Sequence, residues 1–166
     1  MTAARIVRLA PVLCFATGLV VPAQSADTTK AAPTHVMLQE SDLAWGSGPP
    51  SLPPGQMIAV LSGDPGQAGP VTLRAKVPAG YRIPPHWHPT DEHVTVLAGT
   101  IAMGMGEKFD PSALHEMKAG GFARMPATER HFFVARTDAV IQLHGMGPLV
   151  VNYVDPADDP RNAAKK

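Results

Sequence analysis

The chain has 166 residues, with 18 Pro, 15 Gly and only 5% aromatics. That length builds one domain with a real hydrophobic core, and no long window carries sustained apolar 3.6-residue spacing, so short strands and turns are expected in place of a helical bundle. Lys plus Arg equal Asp plus Glu at 14 each, with no basic stripe or acidic tract; this argues against a nucleic-acid partner and leaves a small molecule as the expected one.

In chain order, Arg5 and Arg8 precede an uncharged, largely apolar run at 9–21, and small residues follow in VPAQSA. A secretory signal is built this way, so residues 1–26 are expected to be removed on export, with cleavage between 23 and 26. The run falls short of the roughly 20 residues needed to cross a bilayer and contains Pro11, so no stable membrane anchor is expected in the mature form. The expected location is therefore periplasmic or secreted. Cys14, the only cysteine, lies inside this segment, which removes thiolate ligands and thiol catalysis from the mature protein.

Residues 27–56 read as a polar linker and an N-terminal arm rich in Pro and Gly. Strands are expected at 57–61 and 71–77, the second alternating Val71, Leu73, Ala75 and Val77 on one face with Thr72, Arg74 and Lys76 on the other. Further strands are expected at 92–97, 100–105, 122–125, 131–135, 139–144 and 149–154. The stretch 110–117 suggests one or two helical turns begun by Asp110 and Pro111. The main domain is thus 57–154, and the polar tail at 155–166 is expected to be loose.

The chemistry is concentrated in GYRIPPHWHPTDEHVTVLAG, residues 80–99. Histidines at i and i+2 of a strand project from one face, so His86 and His88 can reach one ion while Trp87 points away. A bend through Pro89, Thr90 and Asp91 can bring the Glu92 carboxylate beside them. In GGFARMPATERHFFV, a strand, a tight turn and a returning strand would add His131. Three imidazoles and one carboxylate form a mixed N/O set suited to one divalent ion of Fe, Mn, Ni, Cu or Zn, with one or two positions left for water, oxygen or substrate. Because such ligands bind as neutral imidazoles, metal affinity is expected to fall as pH drops from about 6.5 toward 5.

Both segments resemble the signature of the cupin superfamily. The first motif, G(x5)HxH(x3 or 4)E(x6)G, is filled at every fixed position by Gly80, His86, His88, Glu92 and Gly99. The second, G(x5)PxG(x2)H(x3)N, is met at Gly120, Pro126 and His131, with Thr128 in place of the usual Gly and Ala135 in place of the usual Asn. The resemblance spans roughly residues 57–154 and implies an all-β fold, a small jelly-roll β-barrel with the metal inside. It also implies a homodimer as one assembly, for which the arm at 35–55 is available.

His93 should face away from the metal, and His35 and His115 fall in arm and loop segments, outside the site. Gln142, His144 and Met146 share a strand face, as do Met103 and Met105; each set is a candidate for the cavity wall, with core packing as the competing role of the methionines. Tyr81 and Arg124 are candidates for the cavity mouth or the surface. Three functions follow: a metal-dependent dioxygenase on a small organic substrate, a redox-neutral metal-dependent isomerase or lyase with His144 as its acid or base, and a non-catalytic module that binds metal or a small ligand.

Overall fold

The structure is a computed structural model in which residues 35–163 are described; the expected signal segment at 1–26 and the linker up to residue 34 lie outside them. Eleven strands follow one another among the described residues: β1 (Gly46–Ser47), β2 (Met57–Ser62), β3 (Gly69–Val77), β4 (Arg82–Trp87), β5 (Glu92–Ala98), β6 (Thr100–Met105), β7 (His115–Lys118), β8 (Phe122–Met125), β9 (His131–Ala135), β10 (Ala139–Gly147) and β11 (Asn152–Tyr153). They form two antiparallel sheets, one in the order β1-β2-β3-β10-β5-β8 and the other β11-β4-β9-β6-β7.

Alternation in the sequence explains which faces meet. Val71, Leu73, Ala75 and Val77 of β3 are all buried, as are Val94 and Val96 of β5. They pack with Ile101 and Met103 of β6 and Phe133 and Ala135 of β9 into one core between the sheets. Burying a side chain as large as Phe133 stabilises such a core by roughly 2–3 kcal/mol. The chain crosses between sheets at Gly120 and Gly121, where the Gly120 amide donates to the Val96 carbonyl and the Val96 amide to the Gly121 carbonyl, both at 2.9 Å. Among the described residues no ladder joins the two sheets. The expected jelly-roll barrel is therefore an open two-sheet sandwich, its halves held by side-chain packing and not by a closed hydrogen-bond ladder.

Two local expectations change. Residues 110–117 make only a single 3-10 turn, Pro111–Ala113, capped by the Asp110 side chain accepting from the Ser112 amide. The chain then pairs as β7 with β6, Thr100 opposite Lys118 and Met103 opposite His115, so sheet pairing overrides the local helical signal. Residues 155–163, expected to be loose, carry a 3-10 turn at Pro156–Asp158 and a short helix, α1 (Pro160–Ala163). Arg161 holds this segment down by pairing with Asp159 at 2.7 Å and donating to the Val151 carbonyl at 3.2 Å.

The proline-rich arm also has a defined place. Tyr81 Oη donates to the Pro53 carbonyl at 2.7 Å and Tyr153 Oη to the Ser51 carbonyl at 2.9 Å, pinning residues 49–55 as a strap. Burial, with a smaller contribution from Tyr153, raises the Tyr81 phenol above its ordinary pKa; burial, then the Asp159 charge, pushes Tyr153 up to about 12, so both hydroxyls stay protonated donors. Tyr81 is a core residue, buried against Phe133, and neither a mouth nor a surface group.

Candidate metal centre

His86 lies on β4, directly opposite His131 on β9, and Tyr153 of β11 sits opposite His86 on the other side. His88 follows just after β4 and Glu92 opens β5, so the bend at 88–91 carries the cluster from one sheet to the other. The ring centroids of His86 and His131 are 4.3 Å apart, those of His86 and His88 5.1 Å and those of His88 and His131 5.3 Å. One nitrogen from each ring lies within 4.8 Å of the others, a spacing at which the three could hold one metal ion.

The hydrogen bonds settle which nitrogens face inward. His86 Nδ1 lies 2.7 Å from the Pro84 carbonyl, His88 Nδ1 2.7 Å from the Val150 carbonyl and His131 Nδ1 3.1 Å from the Glu129 carbonyl. A carbonyl can only accept, so each Nδ1 carries the proton and each Nε2 keeps a lone pair. Backbone acceptors on the far nitrogen orient metal-ligating histidines in just this way. Nε2 of His88 and Nε2 of His131 are buried with no hydrogen-bond partner, a costly arrangement that a cation between them would relieve. The residues present therefore fit a divalent ion.

Glu92 completes the cluster, with Oε2 3.4 Å from His131 Nε2 and 3.7 Å from His88 Nε2. Burial acts to raise its carboxyl pKa, but the adjacent imidazoles, His131 first and then His88 and His86, outweigh it and hold the group down at about 2. Burial, followed by repulsion from His131 and His88, lowers His86 to about 3. At this ligand, proton competition is thus moved well below the pH 6.5–5 window expected for an ordinary imidazole.

Two contacts that sequence reasoning did not assign latch the two motifs together. Asp91 accepts from the Ala127 amide at 2.8 Å and from Arg124 Nε at 2.9 Å, which ties the bend after His88 to the turn before His131. The Ala127 hydrogen bond, then Arg124, lowers the Asp91 pKa, so the clasp is anionic. The Thr128 amide donates to the His88 carbonyl at 2.7 Å, and Thr128 itself adopts φ 67°, the left-handed conformation that glycine favours. The turn keeps the shape that the usual glycine would give. An Asp beside a ligand in a Pro-bounded bend was the visible signal, but its partners lie 33 and 36 residues away.

Other expected site residues are placed elsewhere. Gln142, His144 and Met146 do share a face, but it is the outer one: Leu143 between them pairs with core residue Val94, and the His144 ring stacks on His93 at 4.8 Å. His144 is exposed and is also one of the residues bordering the cavity. Gln142 accepts from Arg74 at 3.2 Å. Met103 packs in the core while Met105 is exposed, and His35 and His115 are solvent-facing.

Residues 73–151 match the family described as a cupin domain. The chain belongs to the cupin superfamily. Solved cupin-like structures share its fold at low identity. The polyketide cyclase RemF from Streptomyces resistomycificus is 19% identical with a TM-score of 0.57, covering 80% of this chain and 94% of its own. A candidate acetylacetone dioxygenase from Methylibium petroleiphilum PM1 is 20% identical with a TM-score of 0.60, covering 79% and 88%. A sugar phosphate isomerase from Silicibacter pomeroyi is 22% identical with a TM-score of 0.52, covering 67% and 75%. These three carry different activities on one fold, so the likeness establishes architecture alone. No curated protein matches this cupin.

Proposed function

We propose that the mature protein is an exported, metal-dependent dioxygenase acting on a small organic substrate, with His86, His88, Glu92 and His131 as the metal ligands. The observation that carries this reading is the set of three Nδ1–H groups bonded to backbone carbonyls, which leaves three Nε2 lone pairs facing one point beside a carboxylate. A redox-active divalent ion bound there supplies Lewis acidity and a centre for oxygen chemistry.

The chain's own residues do the rest. Pro84, Val150 and Glu129 carbonyls hold the imidazoles in register, the Asp91 clasp keeps the two halves of the site together, and the Tyr-pinned strap adds Pro49, Ser51 and Leu52 to the cavity wall. The redox-neutral alternative needs an acid or base at the cavity, for which His144, exposed on β10 and stacked on His93, is the candidate. Export rests on Arg5, Arg8 and the apolar run at 9–21, and the expected partner is a small molecule and not a nucleic acid.

The test is substrate-dependent oxygen uptake by protein loaded with Fe, Mn, Ni, Cu or Zn, measured across phenolics, diketones and thiols with His131→Ala as the control. Uptake that requires both metal and His131 supports the reading. Silence across the whole panel, with ligand recovered unchanged, would leave a non-catalytic binding module instead.

A further inference from the structure

The strap at 49–55 is the loop of a hairpin. Its stems are β1 and β2, paired with Ser47 opposite Met57, and the Gly48 amide closes the neck by donating to the Gln56 carbonyl at 3.2 Å. Pro49, Pro50, Pro53 and Pro54 stiffen the loop, while Gly48 and Gly55, the latter at φ 108°, flank it as joints. None of residues 48–55 is buried, although Pro49, Ser51 and Leu52 line the cavity of about 350 Å³ beside the imidazoles.

Moving such a loop breaks no ladder and uncovers little core. Among the described residues, its polar ties to the sheets are the two phenol hydrogen bonds, from Tyr81 to Pro53 and from Tyr153 to Ser51. Against them stands Gln56, whose amide Nε2 is buried without a hydrogen-bond partner and packs so closely on Gly48 that a Cβ there would lie 2.6 Å away. An unmet buried donor costs about as much as one or two net hydrogen bonds supply, so the closed position is held by a narrow margin.

The latch also reaches the metal cluster. Tyr153 lies opposite His86 in the ladder of β4 and β11, and three residues earlier the Val150 carbonyl accepts from His88 Nδ1. The segment 150–153 thus carries both the support of one imidazole and the phenol that holds the strap.

We propose that the strap is a hinged flap over the cavity, latched by Tyr153 and Tyr81, and that an ion on the histidines favours its closed position by fixing residues 150–153. The coupling rests on the proposed metal site; the flap does not.

Methyl relaxation dispersion at Leu52, whose side chain borders the cavity, follows opening in the full chain, with the core methyls of Ile101 as the control for global unfolding. Metal-free protein should show exchange at Leu52 and none at Ile101. Tyr153→Phe removes one tie and should raise the open population about fivefold, as should Tyr81→Phe, whereas Gln56→Leu removes the unmet donor and should lower it about fivefold. Zinc, with its content measured on the same samples, should reduce the exchange of the unsubstituted protein and lose that effect in Tyr153→Phe. A Leu52 without exchange in the unsubstituted protein and both phenylalanine variants, exchange that Ile101 shares, or an open population that none of the substitutions alters overturns the flap. Bound zinc that leaves the Leu52 exchange unchanged overturns the coupling. Zinc that fails to bind, while Leu52 still responds to the substitutions, sustains the flap and removes both the coupling and the metal reading.

Discussion

Thr128 gives the most direct test of how the second motif is built. Its φ of 67° is sterically unfavourable for a β-branched residue, costing roughly 1–2 kcal/mol relative to the right-handed region. Thr128→Gly removes that strain but adds backbone freedom to the unfolded chain, which offsets roughly 0.5–1 kcal/mol. The net expectation is a stabilisation of about 1 kcal/mol, or about 3 °C in Tm for a domain of this size. Because the Thr128 amide still donates to the His88 carbonyl, metal affinity should not change. Urea and thermal unfolding of the full chain, with Thr128→Asn as a second residue tolerant of this conformation, provide the assay. If both variants are destabilising by more than about 1 kcal/mol, the threonine side chain makes a contribution larger than the strain, and the account of this turn is wrong.

The remaining predictions concern protons and metal. His86 charges near pH 3 when folded and near 6.5 when unfolded, so between those values the folded state binds fewer protons and stability falls as pH drops from 6.5 toward 3. Metal-free protein should lose roughly 3 kcal/mol between pH 7 and pH 4 from this group, and His86→Gln should remove that part of the slope in urea titrations at each pH. His131→Ala should weaken metal binding by at least about 100-fold, and Glu92→Gln by about 10- to 100-fold, both read by competition with a chelator. Metal affinity untouched by either substitution would disconnect these side chains from any ion.

The ligand set was legible because motif spacing translates into strand geometry. His86 and His88 two residues apart, a Pro-bounded bend and Glu92 at the head of a strand are local facts, and β3 and β5 show their buried faces through simple alternation. The closed barrel and the inward His144 were not legible in the same way. Alternation tells that Leu143 and His144 face opposite sides, but not which side is the core; pairing with Val94 decided that.

By itself, then, the sequence determined an all-β chain with three imidazoles and a carboxylate at cupin spacing, since these follow from residue type and short-range geometry. Only the tertiary structure decided which nitrogen of each ring is free, because the acceptors that hold Nδ1 include Val150, 62 residues from His88. It likewise decided that the arm belongs to the site, since Tyr81 and Tyr153 reach it across 28 and 102 residues. Contacts over such separations leave no periodic trace along a chain; they exist only once two sheets have packed.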